Sequence, residues 1–281
     1  MKQAPRVPVG ATELVDVGGR RLNAWRAGGA GPVVLLVHGI PTNHLLWHDV
    51  VPALVEHVQV VAVDLLGYGW SDDPGGWPVD IASQAGYLLR LLDALGLDRV
   101  VVVGHDLGGG VAQILAVTAP ERVAAVAVVD GVCFDGWPVP LVRAMKWAWP
   151  LLRWTPPAAL PAVLAPALRT LFASSGSASA FLPRFVLPWS AAGGTRRLTL
   201  HLRALDSVYT QSVAPFLSRL RMPVEVVWGR LDHQMQPRWG ERLAAAVPTA
   251  RLTWVGGASH FVPADAPDAV VAAVHRLLAR G

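Results

Sequence analysis

Residues 104 to 109 read Gly-His-Asp-Leu-Gly-Gly, behind the apolar run Val100 to Val103 and ahead of the helix-like stretch Val111 to Val117. The pattern is a strand feeding a helix through a tight glycine turn, which thrusts the central side chain out above a helix N-terminus. That side chain is Asp106. A carboxylate there can displace a leaving group from a saturated carbon, form an ester and be freed by water.

Freeing the ester needs a base and a group that orients it. His260 lies in Gly256-Gly-Ala-Ser-His260-Phe-Val-Pro263, just after the strand that ends at Val255. Two acids can hold its ring in the correct tautomer. Asp232, in Trp228-Gly-Arg-Leu-Asp232, is the preferred one, and Asp130, after the preceding strand, is the alternative. His38-Gly-Ile-Pro41 follows another strand. The amides of Ile40 and Leu107 are expected to form the oxyanion hole, with a cis bond at Ile40-Pro41 compatible with the turn. Asp64-Leu-Leu-Gly-Tyr-Gly-Trp-Ser71 is glycine-rich, but it lacks the Lys-Ser/Thr ending of a phosphate loop and reads as structural. His44, His48 and His57 lie near one another without the ligands that would complete a metal site.

The elements that must position these groups follow in order. Thr12 to Val17 and Arg20 to Arg26 flank a Gly18-Gly19 turn, as in a hairpin. Val33 to Val37, Val58 to Val63, Val100 to Val103 and Val123 to Val129 are apolar runs of the kind buried on both faces of a parallel sheet. Helical patterns over His44 to Glu56, Ile81 to Leu95 and Val111 to Val117 separate them. After Asp130 about ninety residues of proline-broken helical sequence intervene before Val224-Glu-Val-Val-Trp228 resumes the alternation. The fold class is α/β with a mainly parallel sheet. The expected organisation is a core over 1–135, a helical insertion over 136–214 acting as a lid, and the rest of the core over 215–281.

Of the 281 residues 53% are apolar and 16% charged, enough to bury a full core. The charge is unevenly spread. No Asp or Glu occurs from Gly136 to Leu205, where Arg143, Lys146, Arg153, Arg169, Arg184, Arg196, Arg197 and Arg203 give eight positive charges in a chain of formal net charge +4. Such a stretch is a solvated fringe, an attractor for a weakly anionic substrate, or a contact for an anionic membrane. Nucleic acid is excluded as a partner, because no binding motif accompanies the charge. The single cysteine, Cys133, rules out an internal disulfide and fits a reducing compartment. Met1 to Arg6 lacks the apolar segment of a secretory signal, so the expected location is cytoplasmic.

Taken together, His38-Gly-Ile-Pro41, Asp64 to Ser71, Gly104 to Gly109, Trp228 to Asp232 and Ser259-His260-Phe resemble, in order, the landmarks of the α/β-hydrolase superfamily, and specifically its aspartate-nucleophile branch. That branch contains epoxide hydrolases, haloalkane dehalogenases and fluoroacetate dehalogenases. The resemblance implies an α/β-hydrolase core with an inserted helical cap and no cofactor. Haloalkane dehalogenases place Trp after the nucleophile and often Asn after the His-Gly pair, where this chain has Leu107 and Ile40. Fluoroacetate dehalogenases place Arg after the nucleophile; Trp147-Ala-Trp149 resembles their cap segment, with Ala148 where they have His. Epoxide hydrolases use two cap tyrosines as proton donors, and Tyr209 lies near the place of the second. His201 or a cap tryptophan (Trp147, Trp149 or Trp189) is the candidate for the remaining donor and for the pocket wall.

The leading expectation is hydrolysis of a small apolar epoxide by Asp106, Tyr209, His260 and Asp232. Cleavage of a carbon–halogen bond is the alternative. A third reading keeps the fold as a non-catalytic dock for a ligand or membrane.

Overall fold

A computed structural model describes residues 10–280. The reading of Met1 to Arg6 lies outside them. Eight strands form one sheet: β1 (Ala11–Asp16), β2 (Arg21–Ala27), β3 (Val33–Val37), β4 (Gln59–Val63), β5 (Val100–His105), β6 (Val123–Val129), β7 (Val224–Gly229) and β8 (Ala250–Val255). Their order is β1-β2-β4-β3-β5-β6-β7-β8, with β1 and β2 antiparallel and every pairing from β4 to β8 parallel. The strands β3, β5 and β6 are buried on both faces, which is why they read as runs of Val, Leu and Ala rather than as alternation.

The helices are α1 (Val51–Leu54), α2 (Ile81–Ala94), α3 (Leu107–Thr118), α4 (Pro140–Trp147), α5 (Trp149–Leu152), α6 (Leu160–Arg169), α7 (Ser175–Val186), α8 (Gly194–Ala204), α9 (Val208–Val213), α10 (Pro237–Ala246), α11 (Val262–Asp265) and α12 (Pro267–Leu278). Helix α3 starts four residues earlier than the sequence pattern suggests, because three consecutive glycines carry no apolar periodicity. The helix expected over 44–56 is instead a 3-10 turn, His44–Trp47, followed by α1; the break precedes Pro52, whose ring cannot continue a preceding helix. Between β6 and β7 the chain is helical from α4 to α9. Pro166 and Pro183 sit inside α6 and α7, tolerated there because each helix buries an apolar face.

Steric room explains the glycines of the turn after β5. A Cβ at Gly104 would strike the carbonyl of Gly108, and one at Gly108 would strike those of Val37 and His38. Helix α3 can therefore lie against β3 and β5 only while both positions lack side chains, and this contact sets where Asp106 points. Gly86, in the middle of α2, has nothing within 4 Å of its would-be Cβ. Gly104→Ala is expected to lower unfolding free energy by about 1–3 kcal/mol through overpacking. Gly86→Ala should raise it by about 0.5–1 kcal/mol, since glycine is the poorer helix former. Urea denaturation of the two variants checks both signs.

Candidate active site

Asp106 occupies the turn between β5 and α3 with φ 51° and ψ −117°, a backbone region that a non-glycine residue enters only at a cost. Its carbonyl repays part of that cost, accepting from the N–H groups of Gly109 and Val132, each at 3.0 Å. The side chain is almost fully buried. Its Oδ2 accepts from the Ile40 N–H at 2.9 Å, and the Leu107 N–H also favours the charged form of the carboxyl. Both amides expected from the sequence thus converge on one group. Burial pushes the Asp106 carboxyl above the usual range, while His260 and the two amides pull the other way.

The Ile40 loop is rigidly held. Its bond to Pro41 is cis. His38 supports the turn rather than reaching the chamber: Nε2 accepts from the Leu65 N–H at 3.1 Å, and Nδ1 lies 2.8 Å from the Gly39 carbonyl. The Asp64 loop is structural as well, its carboxylate accepting from the N–H groups of His44 and Trp70 and from the Asn23 amide.

The choice between the two acids is resolved by hydrogen bonding. His260 Nδ1 lies 2.9 Å from Asp232 Oδ2, while Asp232 Oδ1 accepts from the N–H groups of Gln234 and Met235. Asp232 is therefore a fully satisfied carboxylate that holds the ring. Asp130 accepts from the Gly229 N–H through Oδ1, and its buried Oδ2 has no partner among the described residues. Burial, with the Asp232 charge beside it, pushes the Asp130 carboxyl well up and favours its neutral form. Burial alone would lower the His260 imidazole. The charge and hydrogen bond of Asp232, with Asp106 and Asp130 adding, raise it instead to about 9.

Asp106, Leu107, Ile40 and His260 share a chamber of about 100 Å³ roofed by the helical segment. Val142 and Met145 of α4, Leu164 and Leu168 of α6, and Leu198 and Leu202 of α8 make the wall apolar. Besides Asp106 and His260, the lining side chains with polar nitrogen or oxygen are Gln234 and Trp137. The Trp137 indole N–H is already donated to Thr210 at 2.7 Å, which leaves Gln234 as the remaining polar residue among those lining the chamber.

The remaining sequence expectations fall outside it. Tyr209 does not line the chamber: α9 lies on α3 and turns Thr210 and Val213 inward, so Tyr209, one residue earlier on the helix, packs half-buried at the side. Trp147 is 84% exposed, because α4 gives Val142 and Met145 to the chamber and its opposite face to solvent. Trp149 lines an outer cleft between α5 and α8. Trp189 is buried but donates its indole N–H to the Pro41 carbonyl at 2.7 Å, bracing the Ile40 loop. His201 is buried beside Tyr68, ring centroids 3.9 Å apart, and is held by burial down to about 3.

Two supports had no signal in the sequence. The His105 ring donates through Nε2 to the His260 carbonyl at 2.8 Å. Asp265 Oδ2 accepts from the N–H groups of Ser259 and Ala173, joining the His260 loop to the helical segment. His105 stands next to Asp106 in the motif, which was the only available hint.

The chain matches the α/β-hydrolase fold family over residues 32–267, and it belongs to that family. Within the family it resembles the dehalogenase-like branch. Haloalkane dehalogenase 2 of Mycobacterium tuberculosis is 31% identical over 268 residues, covering 88% of this chain and 87% of that protein. A fluoroacetate dehalogenase from a Burkholderia species is 40% identical over 121 residues, 42% of this chain and 40% of the relative. Among solved structures, an α/β-hydrolase fold protein from Burkholderia ambifaria superposes with a TM-score of 0.81 at 26% identity, covering 94% of this chain and 99% of its own.

The two acids predict different titrations. Asp232→Asn removes the larger of their supports to the imidazolium and should pull the His260 titration clearly below about 9. Asp130→Asn, which mimics the neutral form that burial favours there, should shift it much less. Nitrogen-15 NMR of the histidine side chains against pH reads both shifts.

Proposed function

We propose that the protein hydrolyses a small apolar organic substrate through a covalent ester on Asp106, and that the bond it breaks is carbon–halogen. The observation that carries this reading is the buried Asp106 carboxylate, held by the Ile40 amide in an apolar chamber that it shares with the His260–Asp232 pair.

Asp106 Oδ2 is held by Ile40, which leaves Oδ1 to attack the carbon as the halide departs with the bonding electrons. The helical segment serves as a cap that keeps bulk water out, where a desolvated carboxylate is the stronger nucleophile. Alkylation removes the Asp106 charge and with it one of the influences that hold the imidazole protonated. The ring gives up its proton to solvent and, now neutral, takes a proton from water, which attacks the ester carbonyl while Ile40 and Leu107 stabilise the oxyanion. Collapse releases the alcohol, whose oxygen takes its proton from His260, and leaves Asp106 as its acid; that proton then passes to the neutral ring and restores the carboxylate and the imidazolium. The balance is one alcohol, one halide and one proton for each substrate and water.

Leaving-group chemistry separates the two substrate classes. Halide departs as a stable anion and needs no proton, whereas an opening epoxide leaves an alkoxide that must be protonated. Tyr209, the phenol expected to do this, lies outside the chamber. Epoxide hydrolysis remains the second reading because the imidazole is raised to about 9 and is therefore charged at neutral pH, so His260 can supply that proton itself. The relatives named dehalogenases favour the first reading.

His260→Gln should stop ester hydrolysis and trap the intermediate, seen by intact mass spectrometry as a protein heavier by the alkyl group. Asp106→Asn should give neither adduct nor turnover. In oxygen-18 water the label should enter the Asp106 carboxylate; an unlabelled carboxylate after many turnovers overturns the covalent route. Halide release from haloalkanes and haloacids, set against diol formation from epoxides, decides the bond cleaved.

The rate of alkylation should depend on pH through Asp106. Because burial raises its pKa, the acid limb should fall at a pH above the ordinary carboxylate value of about 4. Rapid-quench measurement of adduct formation in His260→Gln reads this limb without interference from the hydrolytic step.

A further inference from the structure

The outer face of α4, α5 and α8 is unlike the rest of the surface. Trp147, Leu151 and Trp154 are 84%, 78% and 74% exposed and follow one another within eight residues. Beside them is an open cleft whose walls include Trp149, Arg153, Arg196 and Arg203. The Arg153 guanidinium lies 4.8 Å from the Trp154 ring centroid and 5.8 Å from that of Trp149, and Arg203 lies 4.5 Å from Trp149. Arg196 is paired with Asp73, whereas Arg153 and Arg203 have no carboxylate partner among the described residues. No acid occurs anywhere from Gly136 to Leu205 to repel an anion.

We propose that this face docks on an anionic lipid surface. Exposed tryptophans suit the boundary between headgroups and acyl chains, where an amphipathic ring has both an apolar and a polar neighbour. Unpaired arginines stacked on those rings reach lipid phosphates without giving up their apolar contact. A nucleic acid would match the charge but would offer no apolar phase to Leu151. A second copy of this chain would cover the aromatics but would set the like charges of the two copies against each other.

The placement has a consequence for the chemistry, which rests on the reaction proposed above. Helices α4 and α8 that carry this face also give Val142, Met145, Leu198 and Leu202 to the chamber roof. A docked molecule therefore holds its roof against the phase in which an apolar substrate concentrates. No helix among the described residues is long and apolar enough to cross a membrane, so the contact is interfacial.

Flotation of the full-length protein with vesicles tests this directly. The wild type is expected to float with phosphatidylglycerol–phosphatidylcholine vesicles at low salt, not to float with phosphatidylcholine alone, and to be released by high salt. Arg153→Ser with Arg203→Ser should weaken binding roughly 30-fold, from two positive charges lost at about 1 kcal/mol each. Trp147→Ser, Leu151→Ser and Trp154→Ser together should abolish it. All three positions are exposed, and thermal melts check that the variants remain folded. Asp106→Asn should float like the wild type, which separates docking from the chemistry. The proposal is overturned if the wild type stays at the bottom of the gradient with anionic vesicles, or if both surface variants float as it does. A tryptophan-dependent dimer in sedimentation equilibrium, without flotation, would overturn it in favour of self-association.

Discussion

The site depends on keeping one carboxylate nearly dry. Removing Asp106 from water carries a penalty of several kcal/mol, and the fold offsets it with two fixed amides and an imidazolium rather than with a salt bridge. Amides suit this task because they stabilise the charge while leaving open the oxygen that the proposed reaction uses, whereas an arginine fork would occupy both oxygens. The amides can reach only because three backbones meet at close range. A Cβ at Gly39 would fall on the Asp106 carboxyl itself, just as one at Gly104 or Gly108 would push α3 off the sheet. The glycine pattern, the positive φ at residue 106 and the oxyanion geometry are thus one steric solution.

Three buried carboxyls surround a single imidazole, and they cannot all be ionised at bearable cost. Their hydrogen bonds divide the roles. Asp232 takes two amides and the ring, so its charge is compensated; Asp130 takes one amide and leaves an oxygen bare, so it holds a proton more readily. A neutral Asp130 reduces the repulsion on Asp232 and lets Asp232 and Asp106 share the imidazolium between them. Alkylation of Asp106 would upset that balance in the direction hydrolysis requires.

Most of the core was legible because burial on both faces leaves unbroken apolar runs: β3 and β6 are apolar at every position and β5 from Val100 to Val103, and loops carrying candidate site residues follow all three. Asp130 and Asp232 were harder to separate because they follow neighbouring parallel strands, with Val129 beside Val227. Which one meets the ring is set by the loop from Gly256 to Val262, whose path no local pattern encodes. The helical segment was legible in kind but not in facing. An apolar helix between a chamber and solvent has no spacing signal that says which side is which, so Trp147 and Tyr209 could not be placed. Trp189 finds its partner 148 residues away in the chain.

The helical segment and the catalytic loops are not mechanically independent. The His260 N–H donates to the Leu171 carbonyl at 3.1 Å, Asp265 spans Ser259 and Ala173, Asn43 donates to the Arg184 carbonyl, and Trp189 braces Pro41. These bonds tie the segment to the loop bearing the imidazole and to the loop bearing the Ile40 amide. A movement large enough to lift α6 and α7 would break bonds that orient both groups, whereas α4, α5 and α8 carry none of these four ties. Entry to the chamber by displacement of α4 and α8 therefore leaves the placement of His260 and Ile40 intact, and entry by displacement of α6 and α7 does not.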